Sequence, residues 1–118
     1  MKTSELTGHA LDWAVAKCEF VGDLPFVSIG GELRSKHEAW HYHPSTDWAQ
    51  GGPIIEREGI GVYRFRGAWA AHCPLPNGGF HACMENQPTP LIAAMRCYVA
   101  SKLGDEVDVP ELLQGESK

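Results

Sequence analysis

The chain has no C-x-x-C pair among its four cysteines, no internal repeat, no cluster of lysine and arginine, and no apolar run long enough to span a bilayer. Each absence removes a class of function. Without paired spacing, Cys18, Cys73, Cys83 and Cys97 read as buried free thiols rather than as a disulfide or zinc framework. Ten basic against fifteen acidic residues leave a formal charge of −5, and the basic ones stand singly, which argues against direct nucleic-acid binding through phosphates. The first residues lack the apolar core of a signal peptide, so the expectation is a soluble, cytoplasmic protein with no membrane partner. Nucleophile contexts are missing too. Ser45 has no Gly-x-Ser-x-Gly surroundings, and a Cys73–His81 pair has neither a glycine elbow nor a third orienting group.

What is present fits one domain of 118 residues. In residues 7–18, Ala10, Leu11, Ala14, Val15 and Cys18 recur at helical spacing behind Thr7, a candidate N-cap, with Asp12 and Lys17 placed outside. Residues 26–29 and 39–43 read as short strands closed by Gly30-Gly31 and Pro44. Residues 60–66 and 68–71 suggest a hairpin around Gly67, and residues 80–84 a further strand after the Pro-Asn-Gly-Gly turn. Thr89 as N-cap, Pro90 at the first helical position and Gly104 as the stop bracket a final helix, with Leu91, Ile92, Met95, Val99 and Leu103 as its apolar stripe. The prediction is an α+β domain over residues 1–104: a small antiparallel sheet of four or five strands, with the first and last helices packed on one face. Residues 105–118 are acidic, contain Pro110 and read as a loosely attached tail.

The densest chemistry lies in residues 44–58, which hold Ser45, Thr46, Asp47, Trp48, Gln50, the pair Gly51-Gly52 and Arg57. Ser45 or Thr46 can cap a half-helix that the glycines break, and Pro53 can start a second half-helix through Glu56. Adjacent glycines are easiest to justify where φ is positive or where something approaches the backbone closely. With an indole wall, a carboxylate and an amide beside bare backbone, the segment has what a small-molecule pocket needs, although Asp47 alone is equally well explained as a cap. A planar ring such as a purine can stack on Trp48 or Trp69, and Arg57 or Arg96 can meet a phosphate. His37, His41 and His43 form the sharpest enzymatic alternative, a zinc triad built on a strand, but no orienting carboxylate stands at a suitable spacing. His72 and Cys73 with His81 and Cys83 form a weaker candidate set.

Residues 6–17 (Leu-Thr-Gly-His-Ala-Leu-Asp-Trp-Ala-Val-Ala-Lys), 45–56 (Ser-Thr-Asp-Trp-Ala-Gln-Gly-Gly-Pro-Ile-Ile-Glu) and 89–96 (Thr-Pro-Leu-Ile-Ala-Ala-Met-Arg) resemble, in this order, the NinX-like family of small bacteriophage proteins. The resemblance implies a phage or prophage origin and an accessory role in the infected cell, and it implies no reaction. Three functional expectations follow. The first is a non-catalytic protein, without cofactor, that binds a small host molecule, such as a nucleotide-derived immune signal, and withholds it from its receptor. Its ligand-binding residues would be Ser45, Thr46, Asp47, Trp48, Gln50, Gly51, Gly52, Arg57 and Trp69, with a homo-oligomer as the expected assembly. The second is an interaction module that docks on a host enzyme through the same segment and the acidic tail. The third is the zinc hydrolase of His37, His41 and His43.

Overall fold

The computed structural model describes residues 2–19, 26–29, 32–35 and 43–108. After a 3-10 turn at Thr3–Glu5 come helix α1 (Gly8–Glu19), strands β1 (Phe26–Ile29) and β2 (Glu32–Ser35), helix α2 (Trp48–Glu58), strands β3 (Gly61–Phe65), β4 (Ala68–Pro74) and β5 (Phe80–Gln87), and helix α3 (Pro90–Leu103). The class is α+β with antiparallel strand pairing, as the alternating and helical periods predict. The single sheet of four or five strands is corrected: among the described residues, β3-β4-β5 form a three-stranded sheet, and β1 and β2 pair separately. Alternation fixes which residues share a face but not which strand is the neighbour. The strand expected at residues 39–43 falls largely outside the described residues.

Local chemistry explains the elements. β3 and β4 join through a two-residue turn in which both Arg66 (φ 51°) and Gly67 (φ 82°) take the left-handed conformation, which matches the twist of a tight hairpin. β4 and β5 pair with a register shift between Trp69 and Ala71. Thr89 caps α3 by accepting the Ile92 N–H at 3.0 Å, with Pro90 at the first helical position, where its missing N–H costs nothing.

α3 is the hub. It lies against all three strands of the sheet, and α1 and α2 pack on it in turn. The apolar stripe predicted for α3 is therefore too narrow, because every residue from 93 to 100 is buried. Alanines at 93, 94 and 100 let neighbouring elements come close on several sides. Even Arg96 is inside, its Nε donating to the Leu6 carbonyl at 2.7 Å and its NH1 to Gln87 Oε1 at 2.8 Å, as a buried cation requires. Residues 105–107 are attached to the domain: Thr3 N–H donates to the Asp105 carbonyl, Lys2 bridges to Glu106, and Val107 is buried; residues 109–118 of the expected tail lie outside the described residues.

Candidate functional site

Residues 43–47 form a turn that feeds α2. The His43 carbonyl accepts the N–H groups of Thr46 (3.1 Å) and Asp47 (3.0 Å), while Gln50 Oε1 reaches back to accept the His43 N–H at 2.7 Å. Asp47 is the N-cap, its carboxylate accepting the Ala49 N–H at 2.9 Å. Thr46 is exposed, and its hydroxyl stands 3.5 Å from the His43 carbonyl. Ser45 is buried, with its N–H donating to Asp12 Oδ1 at 2.9 Å and its own Oγ lacking a partner. Asp12 itself is 1% exposed, which corrects its placement on the outer face of α1. The carboxylate of Asp12 is held inside because it accepts a buried backbone N–H that would otherwise go unpaired.

The two half-helices expected around a glycine joint are instead one continuous helix, α2, which runs through Gly51, Gly52 and Pro53. Gly51 is buried, and a Cβ there would collide with the Pro44 carbonyl oxygen and stand 2.7 Å from Leu91 Cδ1. Its bare backbone is filled by the protein's own atoms. Gly52 differs, since the one heavy atom near its missing Cβ is Trp48 Cε3, at 4.0 Å. Pro53, inside the helix, withholds one N–H from the ladder, and the carbonyl left over belongs to Ala49, an exposed residue that water can serve.

Burial of Gly51 and Ile54 defines the inward side of α2, so Ala49, Pro53 and Glu56 point to solvent. Trp48 is 52% exposed. Beside it, a shallow hollow of about 480 Å³, open to solvent, is lined among the described residues by Gly52, Pro53, Glu56 and Arg57 of this helix. Trp69 belongs to a different element: it is half-buried on β4 against the core, with the Arg64 guanidinium 5.2 Å from its ring.

Arg57 is committed to carboxylates. Its NH1 and NH2 donate to the two oxygens of Glu19 (3.0 and 2.5 Å), its Nε donates to Glu58 (2.8 Å), and NH2 also lies 3.3 Å from the Tyr98 hydroxyl. Tyr98 in turn donates to Glu19 at 2.5 Å, and Lys102 stands 3.5 Å from Glu58. Burial pushes the Glu19 carboxyl up, but the hydrogen bonds from Arg57 and Tyr98 outweigh it and hold Glu19 below the ordinary 4.5. Burial, then the hydrogen bond to Glu19 and its charge, raises the Tyr98 phenol, and the hydrogen bonds to Glu19 and Glu58 keep Arg57 charged. Burial also pushes the Cys18 thiol up to about 12. The partners of Arg57 escaped sequence reasoning because Glu19 and Tyr98 lie 38 and 41 residues away along the chain. No spacing rule links them.

Of the proposed zinc ligands, His37 and His41 lie outside the described residues, and His43 is half-buried at the turn before α2. Among the described residues, no group of three or more His, Cys, Asp or Glu is placed to hold a metal ion. Among the same residues, no helix is long and apolar enough to cross a membrane.

Comparison with known proteins places this geometry in a phage setting. Residues 2–102 match the family described as Bacteriophage P22, NinX, and the chain belongs to that family. No curated protein matches it.

Proposed function

We propose that this NinX-family protein is a non-catalytic phage accessory module that acts by docking on a host protein, with the solvent face of α2 as its contact. The observation that carries the reading is the half-exposed indole of Trp48, set beside Ala49, Gly52 and Pro53 on one helix face. A large aromatic left in water has an energetic cost that a partner relieves, and tryptophan is among the residues most enriched at the energetic centres of interfaces. The polar groups that would anchor a small ligand are engaged elsewhere. Asp47 and Gln50 hold backbone N–H groups, Ser45 is inside, Gly51 is sealed, and Arg57 is held by Glu19 and Glu58. Among the described residues the hollow is lined by one helix and opens to solvent, which suits a surface contact.

A second reading, sequestration of a small nucleotide-derived host molecule as an anti-defence device, keeps one supporting observation. Bare Gly52 leaves room for a planar ring beside Trp48. One experiment separates the two. The tagged protein and its Trp48→Ala variant are purified from infected host cells and weighed by native mass spectrometry, which also reports subunit number and metal content. Docking predicts a stoichiometric host protein that the variant loses. A retained small molecule, released unchanged on heating and lost in the variant, supports sequestration instead. A host partner that binds both forms equally refutes the α2 contact.

A further inference from the structure

Trp48, Gly52 and Glu56 stand at successive four-residue steps on α2, so they form one row about 12 Å long on the solvent side. The middle member has no side chain. The result is a notch with an indole at one end, a carboxylate at the other and bare backbone as its floor; Trp48 Cε3 stands 4.0 Å from the place where a Gly52 Cβ would be. The charges around it are unbalanced in one direction. Arg57, the cation that lines the same hollow, is bound by Glu19 and Glu58, and Lys102 also faces Glu58. Glu56 is exposed, and among the described residues no hydrogen bond or ion pair engages it. The whole chain carries −5.

From this we propose that the notch receives a lysine or arginine side chain from a basic, partly apolar segment of the partner protein. The cation sits over the face of Trp48, where the ring quadrupole attracts it, and forms an ion pair with Glu56, while apolar neighbours cover Ala49 and Pro53. The same charges disfavour a phosphate in the notch, because an anion would face Glu56 and would have to strip Arg57 from two carboxylates. They also disfavour a second copy of this acidic chain. The inference rests on the docking reading for its partner but not for its chemistry.

The test uses the full chain and two capped peptides, one alternating leucine with arginine and the other carrying glutamate in place of arginine. Binding is followed by calorimetry at two salt concentrations, with the Trp48 indole N–H signal as a site-specific readout. The basic peptide is expected to bind, more weakly at high salt, and to shift the Trp48 signal. Trp48→Ala and Glu56→Gln should each weaken it about five- to tenfold, and Glu56→Lys should transfer preference to the acidic peptide. Both side chains are exposed, so circular dichroism of the variants should match the wild type. Equal binding of the two peptides, or basic-peptide binding untouched by Glu56→Gln, overturns the notch. The docking reading fails separately. If host-protein capture depends on Trp48 but ignores Glu56→Lys, docking stands and the notch falls; if the peptide results hold but capture ignores Trp48, the reverse is true.

Discussion

Gly51 and Gly52 are neighbours in one helix, and the structure gives their replacement by alanine opposite consequences. In a helix interior alanine is favoured over glycine by about 1 kcal/mol, because glycine loses more backbone entropy on folding. At Gly51 that gain is overrun. The new Cβ would strike the Pro44 carbonyl oxygen, a backbone atom that no rotamer can move, and would stand 2.7 Å from Cδ1 of Leu91, itself 3% exposed. Carbon atoms prefer separations of about 3.5–4.0 Å, and forcing extra volume into a filled site costs about 1–3 kcal/mol. A backbone clash belongs at the upper end, so Gly51→Ala should destabilise by about 2 kcal/mol net, or about 8 °C in Tm for a domain of this size. Gly52→Ala meets only Trp48 Cε3 at 4.0 Å. Its helical gain is partly offset because residues before proline disfavour the helical conformation, so its Tm should stay within about 2 °C of the wild type. Thermal unfolding by circular dichroism measures both. A Gly51→Ala variant as stable as the wild type would show that α2 does not sit against Pro44 and Leu91 as described.

The Glu19 carboxyl, held below 4.5 by Arg57 and Tyr98, contributes stability that is present above that value and is lost as pH falls through its folded value. Urea unfolding should therefore find Glu19→Gln less stable than the wild type at pH 7, with the gap closing as pH falls below 4.5; a gap that is constant with pH contradicts the charge-based account. Arg66 holds a left-handed conformation at φ 51° that costs a side-chain-bearing residue about 1 kcal/mol, so Arg66→Asn should raise stability by about 0.5–1 kcal/mol, and a loss would refute the turn assignment. With its thiol pushed up to about 12, Cys18 should be alkylated at pH 8 at least tenfold more slowly in the folded than in the urea-unfolded protein, as followed by peptide mapping; equal rates would place Cys18 in water.

What could be seen in the sequence was what neighbouring residues decide among themselves. Thr89, Pro90 and Gly104 bracket α3 because caps and stops act within one turn, and Gly67 marks the β3–β4 turn for the same reason. The cap of α2 was legible only as a choice: Ser45 or Thr46 was expected to cap a helix through Asp47, and the structure corrects this by giving the cap to Asp47 and starting the helix at Trp48. The continuity of α2 was not, because a Gly-Gly-Pro run reads locally as a break; what carries the helix through is the fit of Gly51 between Pro44 and Leu91, the latter 40 residues away. Asp12 was misplaced in the same way, since periodicity counts a carboxylate as outward and cannot see the Ser45 N–H, 33 residues on, that draws it in. The width of the buried surface on α3 depends on how many elements surround it, which no single helix's pattern reports.

The same long-range fit decides which side of α2 faces water. Gly51 and Ile54, three residues apart, are the buried positions, and the Gly51 contact sets how close and at what rotation the helix lies on α3. Arg57, one further turn along at the border of that face, is drawn toward α1 and α3 by Glu19 and Tyr98. With both ends of the inner face fixed, Ala49, Pro53 and Glu56 are left facing solvent, and Trp48 stays 52% exposed beside them. Stability and docking are thereby coupled at one position. A Gly51→Ala protein that folds should also present Trp48 at a shifted angle, so its binding should fall while that of Gly52→Ala, if Ala fits the notch floor, falls less. Loss of stability at Gly51 without any loss of binding would separate the two and show that the contact lies on another face.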